Sequence, residues 1–326
     1  SCPPRNQSNA AALLRWVAAQ SPRTVYAFEL GNELNSCLDG LEGAKTQAGD
    51  LAALKHLLKE IWWPSTPPAV IGPDTHSALE FASSELDWFA TFAAASDGAA
   101  AALTFHEYSL GNGPTLDPAK LNASFLSPAQ LDRSGQGARN LRKALAATLP
   151  HAPLWAGESA AANNGGKSGI TDTFIDAFWY LDQLGALAVQ NVSVFLRQTL
   201  LSSGGYPLVE LSKSASKRIS ARGAVVTPLP DYWVAVLHKR LMGQTVLNAT
   251  SSASNVRLYA HCGRTGGVSV AYLNLAQFDV SLALPKPLSA AARDEYILTA
   301  GTPIDGAANP LQSKEAMLNG KKIALQ

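Results

Sequence analysis

Up to about residue 243 the sequence alternates between helical and extended periods, and this constrains the fold more than any other feature. Asn9 can cap a helix whose apolar Leu13, Trp16 and Val17 fall at helical spacing, after which residues 24–30 turn extended. Residues 46–63 place Leu51, Leu54, Leu58 and Ile61 on one face and stop at Pro64; residues 68–71 then form a short apolar run ending in Gly72-Pro73-Asp74. The same pattern recurs from helix 79–92 into strand 102–105, from 138–148 into 153–157, and from 173–184, ended by Gly185, into 192–197. The strand ends recur every roughly 30–50 residues, which suits βα units around a parallel sheet.

A last helix is expected over 231–242, and beyond Gly243 the helical period disappears. Residues 256–261, 268–275, 280–284, 295–299 and 316–325 read as strands, with Asn319-Gly320 a type I′ hairpin signal. The expected organisation is an α/β region over 1–243 and a second, all-β domain over 244–326. A parallel sheet can be doubly wound or closed into a barrel, but no glycine-rich phosphate loop follows any strand, which argues for the barrel. In a barrel the chemistry sits at the carboxyl ends of the strands.

Composition narrows the function classes. The 26 basic and 25 acidic residues leave a formal charge of +1, which gives no global case for nucleic acid or another polyanion. The apolar runs are too short for a membrane span. Three cysteines fit neither a zinc cluster nor a disulfide scaffold; Cys2 and Cys37 could form one pair in an oxidising compartment. Asn-X-Ser/Thr stands at Asn6, Asn122, Asn191 and Asn248, usable only on a secretory route.

Polar groups recur at the expected strand ends: Asn32-Glu33, Asp74, His106-Glu107-Tyr108, Glu158 and Arg197-Gln198. A carboxylate at such a place is often only a cap or a solvated loop residue. Glu33 and Glu158, however, each end a run that should be buried on both faces, and they lie three strands apart, so curvature can turn them toward one point. Two convergent carboxylates suit glycoside hydrolysis, in which one must protonate the leaving oxygen while the other stays ionised.

Seven segments in order resemble the heparanase-like glycoside hydrolases of family 79. They are Phe28-Glu29-Leu30-Gly31-Asn32-Glu33-Leu34, Trp155-Ala156-Gly157-Glu158-Ser159, the aromatic run over 172–185, Arg197-Gln198-Thr199, Pro230-Asp231-Tyr232-Trp233, Tyr259-Ala260-His261-Cys262 and Leu318-Asn319-Gly320-Lys321. The likeness covers nearly the whole chain and is nearest to the plant-type β-glucuronidase-like branch. It implies a retaining mechanism in a (β/α)8 TIM barrel followed by a β-sandwich, without metal or cofactor, with Glu33 as acid/base and Glu158 as nucleophile. Asn32 would bond the sugar 2-hydroxyl, unless it is only a turn asparagine. Tyr108 would orient the nucleophile. His106 stands beside it, either supporting the site or as a satisfied core histidine, and Gln198 aligns with a substrate-contacting glutamine. The uronate carboxylate would be held by the amides at Asn164 and Gly165 and by the Tyr206 hydroxyl, the alternative being that Gly165-Gly166 is a flexible loop.

Departures from the family pattern shape the expected substrate. Ser77-Ala78-Leu79-Glu80 stands where animal heparanases carry a basic cluster, and Gly111-Asn112-Gly113 where one carries an arginine. A terminal β-glucuronide on a glycan or small conjugate is therefore favoured over internal cleavage of heparan sulfate. The rival readings are a barrel β-glycosidase for a neutral sugar and a non-catalytic carbohydrate-binding homologue. Only five strands precede the β region, so the first three βα units of the barrel are expected from a missing N-terminal segment of the same protein or from another polypeptide, and the chain without them is expected to be an inactive fragment. Cys262 matches a family cysteine whose partner lies beyond residue 326. The likeness also implies a secreted protein of the cell wall, extracellular space, lysosome or vacuole, with peripheral membrane or cell-wall association as a further option.

Overall fold

In the computed structural model the described residues are 8–20, 23–76, 82–96, 98–201, 204–211 and 226–325, and they fall into two compact units. The first holds residues up to Glu107, Ser134–Ser159 and Gln190–Leu196. It contains α1 (Ser8–Gln20), β1 (Ala27–Glu29), α2 (Gly40–Trp62), β2 (Ala69–Thr75), α3 (Ser83–Ala95) and β3 (Leu103–Glu107). After α4 (Pro118–Ser124), which belongs to the second unit, most of α5 (Pro128–Leu145), β4 (Leu154–Ser159) and β5 (Val192–Arg197) return to it. The five strands form one sheet in the order β1-β2-β3-β4-β5, and the registers of β1 with β2, β2 with β3 and β3 with β4 are parallel. Leu51 and Leu58 from α2 and Phe89 and Phe92 from α3 are fully buried, as are Phe105, Leu154 and Ala156 of the sheet. This is the α/β architecture that the alternation predicts.

The second unit adds α6 (Phe174–Val189), β6 (Val209–Leu211), β7 (Val226–Pro228), α7 (Pro230–Leu241), β8 (Met242–Leu247), β9 (Val256–Gly263) and β10 (Val268–Asn274). It ends with β11 (Leu298–Ala300), β12 (Ala316–Leu318) and β13 (Lys321–Lys322). Antiparallel sheets β10-β9-β8 and β11-β12-β13 and the ribbon β6-β7 account for its strands. Asn319 and Gly320 join β12 to β13 with φ of 49° and 75°, the left-handed pair that a type I′ turn requires.

Several boundaries differ from the sequence reading. Residues 280–284 carry no strand, since Pro285 and Pro287 remove ladder donors next to them. Strand β8 was not expected because its run begins directly at the helix end. Gly185 does not end a helix: α6 continues through it to Val189. Its missing side chain instead admits the Tyr259 ring, since a Cβ at Gly185 would lie 2.1 Å from Tyr259 Cγ. The contact lets the Tyr259 hydroxyl donate to Asp182 Oδ1 at 2.6 Å, and Arg257 Nε binds the same carboxylate at 2.7 Å.

Gly185→Ala should therefore destabilise the chain despite alanine's helix preference of about 1 kcal/mol. Overpacking against an aromatic ring typically costs ~1–3 kcal/mol, and a lowered midpoint in urea denaturation is the expected result.

Candidate active site

The site is built where β1, β2, β3 and β4 end. After Glu29 the chain turns at Gly31, φ 97°, where a Cβ would strike Leu34 Cδ1 at 2.7 Å. Glu33 follows with φ 51° and ψ 35°, and its amide donates to Asp74 O at 2.8 Å. Asp74 is itself left-handed, φ 59°. Such conformations cost roughly 1–3 kcal/mol each in a non-glycine residue and persist only where the surroundings fix them. Gln47 of α2, fully buried, supplies part of that fixing by donating to Pro73 O at 2.8 Å.

Two register shifts re-aim the side chains. One lies between Gly72 and Thr75 on β2, and the other sits where Phe105 pairs with Ala156 but His106 pairs with Glu158. Gly157 is thus the extra residue of a bulge on β4, the usual device for turning a side chain at a sheet rim. A Cβ on Gly157 would meet Glu29 Oε1 at 3.1 Å, Thr104 Cβ at 3.3 Å and Asp74 Oδ1 at 3.5 Å. Glycine there lets two carboxyl groups lie against β4 beside the Glu158 backbone.

His106 is the hub. Its side chain is 1% exposed; Nε2 lies 2.5 Å from Asp74 Oδ1 and Nδ1 lies 2.8 Å from Glu33 Oε1. The same Nδ1 is 3.8 Å from Glu158 Oε1. Glu33 and Glu158 therefore face one nitrogen, and their Oε1 atoms are no further apart than those last two distances laid end to end. That is the scale of carboxyl pairs in glycosidases. Ionised carboxylates only accept hydrogen bonds, so ring nitrogens bonded to two of them must both carry protons. Burial alone would lower the His106 pKa, but the hydrogen bonds to Asp74 and Glu33 and the charges of Asp74 and Glu158 outweigh it and raise the ring to about 10. The hydrogen bond from His106 in turn holds Glu33 below the usual carboxylate range.

Glu29 lies beneath this group. Burial, followed by the neighbouring Asp74 charge, pushes its carboxyl up to about 7. The sequence reading gave a role neither to Glu29 nor to Asp74, although both stood inside quoted motifs. The only signal for Glu29 was an acid within a buried run, whereas Asp74 stood among the polar strand ends. Beside Asp74, the His76 ring is bonded to Asn35 at 2.6 Å and to Glu85 at 3.1 Å. Asn32 is exposed next to Glu33.

The remaining candidates lie in the second unit. Tyr108 is buried there. Asn164, Gly165 and Gly166 are successively left-handed, with φ of 53°, 90° and 65°. This segment is pinned: Gly205 donates its amide to Gly165 O at 2.6 Å, and a Cβ on Gly166 would strike Thr171 Oγ1 at 2.4 Å. Asn164 Nδ2 reaches Asn112 Oδ1 at 3.2 Å. Gln198 precedes a cis peptide to Thr199, whose amide donates to Tyr206 O at 3.4 Å. Asn164, Gly165, Gln198 and Tyr206 thus share one loop framework. Cys37 is disulfide-bonded, Cys2 lies outside the described residues, and Cys262 is free and exposed. Among the described residues no group of three or more His, Cys, Asp or Glu is placed to hold a metal ion.

The raised Glu29 carboxyl has a consequence for stability. Folding favours its protonated form, so its contribution is fully present below the ordinary glutamate value of 4.5 and is lost as pH rises to about 7. Glu29→Gln should shrink the drop in urea midpoint between pH 5 and pH 8, and an unchanged drop would place that titration elsewhere.

A family model described as Glycosyl hydrolase family 79, N-terminal domain, matches residues 3–185, the stretch that holds Glu33, Asp74, His106 and Glu158. Heparanase-like protein 3 of Arabidopsis thaliana is 32% identical over 274 residues, covering 83% of this chain and 47% of that protein. Baicalin-β-D-glucuronidase of Scutellaria baicalensis is 32% identical over 326 residues, covering 98% and 56%, and Gallus gallus heparanase is 30% identical over 339 residues, covering 98% and 58%. The chain spans about half the length of the curated relatives it matches. Among solved structures, a 4-O-α-L-rhamnosyl-β-D-glucuronidase from Fusarium oxysporum shares the fold with a TM-score of 0.62 at 14% identity, covering 98% of this chain and 68% of that one. Since the family model takes in more than half of the residues, including every strand end that meets at His106, the chain belongs to glycosyl hydrolase family 79.

Proposed function

We propose that this chain carries the reacting carboxylates of a retaining glycoside hydrolase that removes β-linked glucuronic acid from glycans or glucuronide conjugates. The observation that carries the proposal is the approach of Glu33 and Glu158 to one imidazole nitrogen, at 2.8 and 3.8 Å. Glu158 attacks the anomeric carbon, Glu33 protonates the leaving oxygen, and Glu33 then activates the water that releases the sugar. The amides at Asn164 and Gly165 and the Tyr206 hydroxyl are assigned to the uronate carboxylate, Asn32 to the 2-hydroxyl, Tyr108 to the orientation of Glu158, and Gln198 to the substrate.

The family membership and the glucuronidase and heparanase relatives support this reading. Three further βα units are proposed to close a (β/α)8 barrel, with the C-terminal sheets belonging to a β-sandwich. The outer positions of β1 and β5 in the sheet, and the 77% exposed Tyr26 stacked on Trp155 at 6.0 Å, are consistent with a surface that further chain covers. A secretory route is proposed from the Cys37 disulfide and from Asn191 and Asn248, both exposed sequon asparagines.

Hydrolysis of a chromogenic β-glucuronide, assayed with the barrel-completing segment present, tests the assignment. Glu158→Ala should lower kcat by at least ~1000-fold, and retained activity would refute it as nucleophile. Tyr206→Phe should reduce kcat/KM for the glucuronide far more than for the matching glucoside, whereas equal losses would favour a neutral sugar.

A further inference from the structure

We infer that His106 stores the proton that Glu33 delivers, and that attack by Glu158 releases it. This inference rests on the glucuronidase reading for its chemistry and on the His106 geometry for its physics. A general acid must hold a proton, yet the His106 hydrogen bond holds Glu33 ionised. The proton nearest the leaving oxygen is thus the one on Nδ1, 2.8 Å from Glu33 Oε1. Asp74 Oδ1 on the far side, 2.5 Å from Nε2, keeps the other ring nitrogen protonated and the ring in place.

Three carboxylates stabilise the positive ring: Asp74 from β2, Glu33 from the loop after β1, and Glu158 from β4. Glu29, also facing the ring from β1, adds a further negative charge only when it ionises. When Glu158 forms the bond to the anomeric carbon its negative charge becomes an ester, and one of the three supports disappears. The ring loses hold of its Nδ1 proton at the moment the breaking C–O bond leaves its electron pair on the aglycone oxygen. The proton moves from Nδ1 to Glu33 and from Glu33 to that oxygen, leaving neutral imidazole, ionised Glu33 and a free alcohol. In the second half, water adds to the anomeric carbon and its proton returns through Glu33 to Nδ1, while Glu158 leaves as a carboxylate. The net reaction is glucuronide plus water to alcohol plus glucuronic acid.

His106 acts through Glu33, so its loss should matter in proportion to how badly the leaving group needs a proton. With aryl and alkyl β-glucuronides of graded leaving-group acidity, the wild type should show a shallow dependence of kcat/KM on that acidity. In His106→Gln, turnover of a dinitrophenyl glucuronide should stay within about tenfold of wild type, while an alkyl glucuronide should lose ~100- to 10,000-fold. Equal losses across the series would mean a structural role and would overturn the inference. The 15N ring shifts of His106 in the unliganded wild type provide a test that needs no turnover. Two protonated nitrogens at pH 8 support the store, and a neutral ring overturns it. Failure of the wild type to cleave the dinitrophenyl glucuronide would count against the glucuronidase reading alone, leaving the ring measurement to judge His106.

Discussion

One buried imidazole tied to the ends of three strands is the constraint around which the first unit is arranged. A ring that is 1% exposed and faces three carboxylates cannot be accommodated by side-chain rotation alone. The backbone must deliver the acids to it, which is what the left-handed Glu33 and Asp74 and the bulge at Gly157 accomplish. Each deviation is unfavourable by itself. Together they let an imidazolium donate charged hydrogen bonds from both nitrogens, which are among the stronger polar contacts in a protein interior. Removing any one acid would leave the others around a less compensated cation, so the group functions as a unit.

The second unit uses buried charge differently. Arg197 Nη2 bonds Asp176 at 2.9 Å and Asp231 at 2.8 Å, and burial with the adjacent Asp231 holds the Asp176 carboxyl well above its ordinary range. Asp176, Arg197 and Asp231 come from three of the seven segments that carry the family resemblance. Asp182, Tyr259 and the neighbouring Arg257 make a second such knot. Much of the recurring motif pattern is therefore scaffold: oppositely charged groups buried together because none could be buried alone. The proposed chemistry belongs to the shorter segments at the ends of β1 to β4.

That division explains what the sequence could and could not reveal. The five strands were legible because a parallel strand buried on both faces leaves an uninterrupted apolar run, and helix periods separate those runs. Glu33, Glu158 and His106 were legible as polar residues following such runs. The partnership of His106 was not, because it depends on a one-residue register shift that no periodicity records. Glu29 was hidden for a related reason: inside the strand it looks like an interruption, and only the glycine at 157, far along the chain, makes room for it. Gly185 misled in the opposite way. A glycine near the end of a helical run suggests a stop, but its reason lies in the Tyr259 ring, which is distant in sequence.

The shared nitrogen also bears on which acid does what under the proposed reading. Two carboxylates at a sheet rim are chemically alike, and residue type alone does not separate a nucleophile from an acid. The separation lies in distance. Glu33, at hydrogen-bond length from Nδ1, is placed to exchange a proton with the ring, whereas Glu158, at 3.8 Å, interacts with the same charge without forming that bond. The nearer oxygen is coupled to the proton and the farther one to the field. A nucleophile needs its charge available to be spent, and a proton carrier needs a short path to a donor. One asymmetric contact meets both requirements with a single buried ring, so the two roles follow from about an ångström of difference at one atom rather than from two separately tuned environments.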